Sequence, residues 1–179
     1  MIKQVKYKLL VKQYKNRIYS YAVYMLRNRM DADDVTQEAL IRLWNNIDNF
    51  NINSAAAYIM KITHNLCLDY IKRRNISLSR EYVIDEIFEE SYPGSAPEEN
   101  PLNVTHRNFM SARIKEAISH LPENLKSVFV LYEIEGYKYV EIAEALDIPL
   151  NSVKVYLMRA RLKLQEELKE FKERELLYE

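Results

Sequence analysis

The sequence predicts an all-α protein made of two small helical domains joined by a flexible acidic linker. Apolar residues recur with a helical period through residues 1–75 and again through residues 106–179. Residues 76–105 have no sustained period, contain three prolines and one glycine, and carry seven acidic side chains against one arginine before residue 103. That composition is typical of a disordered tether. We therefore predict domains at residues 1–75 and 106–179, with a linker at 76–105.

Charge is unevenly distributed along a chain that has no net charge. The 179 residues include 26 basic and 26 acidic side chains. Residues 1–75 carry thirteen basic and six acidic side chains, whereas residues 76–110 carry two and seven, and residues 111–179 carry eleven and thirteen. Because charges act mainly within a Debye length of about 10 Å, local surfaces decide what the protein attracts. A net charge of zero therefore does not exclude nucleic-acid binding.

Several classes of function are disfavoured by what the sequence lacks. A single cysteine, Cys67, excludes an intramolecular disulfide and a cysteine-cluster zinc site, and two glycines are too few for a Gly-rich phosphate-binding loop. Cys67 is helically spaced from His64, but two ligands do not make a metal site. We therefore expect no enzyme activity, catalytic residue, metal or cofactor. Without a long apolar run or a signal peptide, we expect a cytoplasmic protein with no membrane insertion.

The first two predicted helices cover residues 3–29 and 30–47. Asp31 is a suitable N-cap for the second helix, and acidic residues behind it favour a helix start. The side chains predicted to face the core are Val5, Leu9, Tyr14, Ile18, Tyr21, Ala22, Met25, Val35, Ala39, Leu43, Trp44 and Ile47. The residues left for the other faces of the second helix are Asp34, Gln37, Glu38, Ile41 and Arg42. A polar face of this kind is, on its own, usually just a solvated surface.

An amide-rich loop at residues 48–53 precedes a third helix, which Ser54 caps and which runs to about residue 74. Its predicted core side is formed by Ile59, Ile62, Thr63, Leu66 and Tyr70. The loop and the outer face supply polar and basic side chains, namely Asn51, Asn53, Lys61, His64, Asn65, Lys72 and Arg73. Basic residues can hold a nucleic-acid backbone while amides contact an unstacked base. The alternative is a solvated basic face.

The C-terminal part is predicted to contain a helix at residues 106–120, a second from residue 121, and a left-handed helix end at Gly136. Their predicted core residues are Phe109, Ile114, Ala117, Ile118, Val128, Phe129, Leu131, Tyr132 and Ile134. Residues 139–164 then resemble a helix, a short turn and a second helix. Their predicted core residues are Ile142, Ala143, Leu146, Ile148, Val153, Leu157, Ala160 and Leu164.

The second helix of this pair is predicted to begin within two residues of Asn151, its candidate cap, and Pro149 sits where a first-turn proline is tolerated. From residue 151 to 163 it has four basic residues and no acidic one. Its candidate DNA-contacting residues are Asn151, Ser152, Lys154, Val155, Tyr156, Arg159 and Arg161, and Met158 also points away from the core stripe. A short basic helix after a tight turn is typical of a reader of the DNA major groove. An ordinary helical hairpin with a solvated basic face is the alternative.

Three motifs, in this order, resemble bacterial sigma-70 family factors of the extracytoplasmic-function group. They are D-A-D-D-V-T-Q-E-A-L-I-R-L-W at residues 31–44, Y-I-M-K-I-T-H-N-L-C-L-D at 58–69, and the helix pair within 121–164. The resemblance implies that the Asp34–Arg42 face docks on the β′ coiled coil of core RNA polymerase. It also implies that the β subunit of the polymerase is a partner. It implies that the third helix and the preceding loop capture and melt the −10 promoter element. The last helix would then bind the −35 element.

The same resemblance implies further expectations. The acidic linker would thread through the polymerase channel, and an anti-sigma factor would hold the protein inactive. Val155 and Tyr156 stand where family members often have serine and arginine, so the resemblance does not indicate which −35 bases are bound. We therefore expect a sigma factor that binds core RNA polymerase and directs promoter-specific transcription initiation. The rivals are a stand-alone helix-turn-helix regulator, which does not need the motif at 31–44, and a helical adaptor without a DNA role.

Overall fold

A computed structural model describes residues 2–78 and 101–176, and it confirms the all-α class with two small helical domains. The helices are α1 Ile2–Leu26, α2 Arg29–Asn46, α3 Ala55–Leu78, α4 Pro101–His120, α5 Glu123–Phe129, α6 Tyr139–Leu146 and α7 Leu150–Leu176. A 3-10 turn, Ile52–Ser54, precedes α3, and a π-helical segment, Val130–Ile134, continues α5. Within these residues no helix is both long and apolar enough to cross a membrane.

The N-terminal domain is a bundle of α1, α2 and α3, each of which packs on the other two. Tyr21 and Ile18 of α1 are fully buried, as the helical period predicts. The prediction for Val5 and Leu9 is wrong, because both side chains are exposed. Counting back from Tyr14 by a helical turn leads to Leu10, which is buried, whereas Val5 and Leu9 lie on the opposite side of the helix.

The cap of α2 lies three residues before the predicted one, and the helix begins at Arg29, one residue before the predicted start. Asn28 is the N-cap, and its side-chain oxygen accepts a hydrogen bond of 3.0 Å from the backbone nitrogen of Asp31. The predicted cap Asp31 therefore lies inside the first turn. Trp44 is also misplaced by the prediction: its side chain is 36% exposed and sits at the rim of the domain. There it packs edge-to-face on Tyr7, with ring centroids 5.1 Å apart.

Both ends of the predicted linker are helical. The third helix continues to Leu78, and the fourth begins at Pro101. Pro101 fits the first turn of a helix, where its missing N–H would have no partner within the helix. The remaining linker residues, 79–100, lie outside the described residues, and so does the side chain of Phe109.

The C-terminal domain consists of α4 to α7, with α5 and α7 in extensive contact. Ala117 and Ile118 are buried as predicted, but the prediction for Ile114 is wrong, because its side chain is exposed one turn earlier. Ile134 is likewise exposed, and Glu135 is buried instead. The π-helical turn explains this, because its extra residue rotates the following side chains out of the α-helical register. Gly136 has φ +70, which confirms the predicted left-handed end.

The predicted helix-turn-helix is formed by α6 and α7. Asp147 ends α6 in the left-handed region with φ 55, and the backbone nitrogen of Ile148 donates to the oxygen of Ala143 at 3.1 Å. Since α7 begins at Leu150, Asn151 lies in its first turn and is not its cap. The core stripe of α7 is buried throughout, which confirms Val153, Leu157, Ala160 and Leu164.

The two domains pack against each other, a feature that the sequence did not predict. Helix α6 lies against α3, and α1 contacts α4, α5 and the π-helical segment. The Arg17 guanidinium donates to the backbone oxygen of Glu135 at 2.8 Å and lies over the Tyr137 ring, 5.0 Å from its centroid. Burial raises the pKa of the Glu135 carboxyl, while a hydrogen bond with Ser20 and the Arg17 charge act in the opposite direction. The interface therefore contains a buried polar cluster as well as apolar contacts.

Candidate functional site

A groove between α2 and α3, about 360 Å³ in volume, gathers all five of the predicted polymerase-binding residues. The residues that line it are Asp34, Gln37, Glu38, Ile41 and Arg42 from α2, with Leu66, Asp69, Tyr70 and Arg73 from α3. Spacings of three and four residues place the α2 members on one face, while Val35, Ala39 and Leu43 are buried on the other. We call this the α2–α3 groove.

The α2–α3 groove contains both acidic and basic side chains, and two of them form an ion pair. Arg42 Nε donates to Glu38 Oε1 at 2.7 Å, one helical turn away, with both side chains partly exposed. Ile41 is a large apolar side chain left exposed between these charged neighbours. Burial, together with the carboxylates of Asp34 and Asp31, raises the pKa of Tyr70. An exposed apolar side chain ringed by charged and aromatic residues is typical of a surface that binds a protein.

The sequence does not predict the contribution of α3 to this groove. Helical spacing predicts only a core position for Tyr70, and Asp69 belongs to the motif at residues 58–69 without a predicted role. Arg73, predicted to contact −10 DNA, lines the groove and lies over the Tyr70 ring at 5.9 Å from its centroid. The i, i+3, i+4, i+7 relation of Leu66, Asp69, Tyr70 and Arg73 was visible in the sequence. What was not visible is that this face borders α2.

The loop before α3 is held in place by α1. Lys6 Nζ donates to the backbone oxygen of Ile47 and, at 3.2 Å, to that of Phe50, and it also lies over the Phe50 ring. Phe50 stacks on Tyr58, with centroids 4.5 Å apart. The Asn51 side chain accepts a hydrogen bond of 3.1 Å from the backbone nitrogen of Asn53, which closes a local turn.

Of the predicted −10 residues on α3, three share one exposed line. Lys61, Asn65 and Lys72 are exposed and spaced by four and seven residues, so they follow one another along the helix for about 16 Å. Asn51 and Asn53 are exposed in the preceding loop. Two ammonium groups can bind phosphates, and the amide between them can donate and accept hydrogen bonds. We call Lys61, Asn65 and Lys72 the α3 strip.

His64 departs from the predicted outward orientation. It is half-buried, and its Nδ1 is 2.8 Å from the hydroxyl of Tyr21, which is itself fully buried in α1. Burial lowers the pKa of the imidazole to about 4. At neutral pH the ring is therefore uncharged and bonded to the protein interior.

The free energy of unfolding should decrease as the pH falls from 6.5 towards 4, in part because of His64. The unfolded imidazole takes up a proton near its ordinary pKa of 6.5, whereas the folded ring does so only near 4. The unfolded state thus binds more protons in this window, which costs up to about 3 kcal/mol of stability. Urea titrations at several pH values should show a flatter pH dependence for His64→Gln than for the parent chain. An equally steep dependence in the variant would contradict the assignment.

Five of the seven predicted −35 residues on α7 are exposed. They are Asn151, Lys154, Val155, Arg159 and Arg161, and Ser152 is partly exposed in the first turn. Opposite them, the buried stripe anchors α7 to α5 and α6. A helix fixed on its inner side and basic on its outer side can enter a major groove without rearrangement.

Arg161 and Tyr156 both contact other residues of the domain, although Arg161 is exposed. Both Nε and Nη2 of Arg161 donate to Glu133 Oε1, at 2.8 and 2.5 Å, and the guanidinium lies over the Tyr132 ring. Tyr156 is partly buried and packs against the core. Sequence spacing could not reveal either contact, because Glu133 is distant in sequence and lies on the π-helical segment.

Two family models match the chain in the order of the two domains. Residues 10–76 match Sigma-70 region 2, and residues 111–164 match Sigma-70, region 4. The first match contains the α2–α3 groove and the α3 strip, and the second contains the exposed face of α7.

The chain is similar to curated proteins that are named ECF RNA polymerase sigma factors. The ECF RNA polymerase sigma factor SigW of Bacillus subtilis is 30% identical over 172 residues, which cover 88% of this chain and 86% of SigW. The ECF RNA polymerase sigma factor SigE of Mycolicibacterium smegmatis is 31% identical over 160 residues, or 89% of this chain. The chain spans only 60% of the length of that SigE.

Solved structures have the same fold. RpoE of Bartonella quintana, in complex with the anti-sigma factor NepR, matches with a TM-score of 0.73 at 19% identity, covering 90% of this chain and 96% of RpoE. CnrH, in complex with the cytosolic domain of CnrY, matches with a TM-score of 0.63 at 22% identity, covering 91% and 87%. With SigW similar over nearly its whole length and both regions matched, the chain belongs to the extracytoplasmic-function group of sigma-70 family RNA polymerase sigma factors.

Proposed function

We propose that this protein binds core RNA polymerase and directs it to promoters that have two spaced elements, where transcription then begins. The observation that carries the proposal is the α2–α3 groove. Five residues predicted to dock on the polymerase line it together, and Ile41 supplies an exposed apolar contact beside the Glu38–Arg42 ion pair. We propose the β′ coiled coil as its occupant, because helical grooves of this kind accept an amphipathic helix.

The two DNA elements are assigned to the two domains. The α3 strip and the loop at residues 48–53 would hold the −10 element, with lysines on the backbone and amides on an exposed base. The outer face of α7 would occupy the major groove of the −35 element. We propose Asn151, Lys154, Val155 and Arg159 as its contacts, because all four are exposed. Arg161 is exposed as well, but its guanidinium would have to leave Glu133 before it could bind DNA.

The packed arrangement of the domains has a consequence for this function. The −10 and −35 elements lie about 25 base pairs apart, which is roughly 85 Å along B-DNA. Domains that touch through α3 and α6 cannot occupy both elements at once, so we propose that they separate when the polymerase and promoter are bound. RpoE was solved with the anti-sigma factor NepR, and we propose that this chain also has an anti-sigma partner that holds it inactive.

Reconstitution tests the proposal directly. The full chain is mixed with purified core RNA polymerase, and the complex is isolated by size-exclusion chromatography and used to select promoters from fragmented genomic DNA. We expect co-elution with core polymerase and run-off transcripts that start from the selected fragments. There are two controls. One is core polymerase alone, and the other is core polymerase with a chain that contains only residues 1–105.

Each outcome separates the rival functions. If the chain selects duplex DNA without associating with core polymerase, it is a stand-alone helix-turn-helix regulator. If the chain binds neither DNA nor core polymerase, it is a helical adaptor and both the sigma-factor and the regulator functions are wrong.

A further inference from the structure

The exposed face of α7 contains a second apolar stripe, directly opposite the buried one. Val155, Met158 and Leu162 are 38%, 54% and 51% exposed, although each is a large apolar side chain. Their spacings of three and four residues place them on one line of the helix. The buried stripe, Val153 to Leu164, lies on the opposite side, so the core does not use these three residues.

The surroundings of Val155 and Met158 in this outer stripe are basic. Lys154 and Arg159 are exposed on its two sides, and Asn151 is exposed on the same line one turn before Val155. No acidic residue occurs between Asn151 and Lys163. A protein ligand with an ordinary mixed surface would gain little from this distribution of charge. DNA would gain from it, because its phosphates flank a groove whose floor contains apolar groups.

The apolar group that the major groove offers is the 5-methyl group of thymine. Direct recognition of guanine instead requires Arg or Lys on the base edge, and the line formed by Asn151, Val155 and Met158 contains neither. Val155 and Met158 are about 4.5 Å apart along the helix axis, close to the ~3.4 Å step between base pairs. They belong to the N-terminal half of the second helix, which contacts base edges in helix-turn-helix proteins.

We propose that Val155 and Met158 bind thymine methyl groups, and that this chain therefore selects a −35 element with thymines at the positions that face them. The proposal rests on the proposed function, and it assigns base selectivity to two apolar side chains. Arg159 and Lys154 then contribute affinity through phosphates, without distinguishing one sequence from another. Asn151, at the start of the same line, has the amide geometry that pairs with adenine.

The experiment removes the methyl group from the DNA and the apolar side chain from the protein. Preferred duplexes are selected from a random library twice, once by the complex with core polymerase and once by the full chain alone. Each thymine of the selected −35 duplex is then replaced by deoxyuridine, which lacks only the 5-methyl group. Affinity should fall about fourfold for each methyl group that is buried.

Variants connect this loss to the two side chains. In Val155→Ala with Met158→Ala, thymine and deoxyuridine duplexes should bind equally well. Val140→Ala and Met110→Ala provide matched controls, because Val140 and Met110 are exposed in the same domain but on α6 and α4. These controls should keep the parent's preference for thymine. Since the uridine exchange is made in the DNA, its result does not depend on how well a variant folds.

Three results would overturn the proposal. They are a selected −35 duplex without thymine, equal affinity of the parent chain for thymine and deoxyuridine, and an unchanged preference in the Val155 and Met158 variant. The second and third of these results would indicate that the outer stripe binds a protein and not DNA. If the polymerase complex does not form but the chain alone still prefers thymine, the proposed function fails and methyl recognition stands.

Discussion

Reversing both charges at Asp34 and Glu38 to lysine should weaken the binding of core RNA polymerase at least 30-fold, or about 2 kcal/mol. Both carboxylates line the α2–α3 groove, and Glu38 also holds Arg42 through a 2.7 Å hydrogen bond. The double change would put three positive charges together on one helix face. A positive partner surface would then be repelled instead of attracted, and Arg42 would lose the carboxylate that orients it. A fluorescence titration with core polymerase, without DNA, measures the effect.

A matched control exists on α7. Glu166→Lys with Glu170→Lys changes the same number of charges, on exposed residues with the same four-residue spacing. This control should bind core polymerase as the parent does. Circular dichroism checks that both variants remain folded, since an exposed i, i+4 pair such as Glu38 and Arg42 stabilises a helix by only about 0.5 kcal/mol. Equal affinity of the Asp34 and Glu38 variant and its parent would remove the main support for polymerase docking.

This groove shows what sequence spacing can predict. Asp34, Gln37, Glu38, Ile41 and Arg42 could be assigned to one face because α2 is a regular helix whose buried positions are unambiguous. The stripe of α7 was predicted correctly for the same reason. Where the backbone leaves the α-helical period, prediction fails: the π-helical turn buries Glu135 and exposes Ile134.

Contacts between elements distant in sequence could not be predicted either. Arg17 and Glu135 are separated by 118 positions, and each would ordinarily be placed on a solvated surface. Only the packing of one domain on the other makes them partners. His64 was misassigned for a related reason, because its hydrogen bond is to Tyr21 on a different helix. Helical period alone places His64 at the edge between the buried and exposed sides of α3, and tertiary contacts decide its orientation.

A promoter template that is already open at −10 should bind the polymerase complex more tightly than intact duplex, because the protein no longer provides the unstacking energy. That energy is a few kcal/mol, so the gain in affinity should be about 100-fold. A repressor binds intact B-DNA and should gain nothing. On open templates, Asn65→Ala should reduce the preference for one −10 sequence over another, since an amide can contact a base edge. Lys72→Ala should weaken binding to all sequences alike. It should also reduce the slope of log affinity against log salt concentration by about one, because one counterion fewer is released.

Helix α1 supplies the matched controls for these two variants. Asn16 and Lys12 are exposed there, outside the α3 strip, so Asn16→Ala and Lys12→Ala should leave both sequence preference and salt dependence unchanged. The distinction between Asn65 and Lys72 follows from chemistry, because an ammonium group binds any phosphate, whereas an amide needs a particular donor and acceptor pair. If Asn65→Ala lowers affinity uniformly, Asn65 contacts only the backbone. If the parent complex gains nothing from the open template, the α3 strip does not take part in melting, and DNA recognition by this chain is confined to duplex contacts of α7.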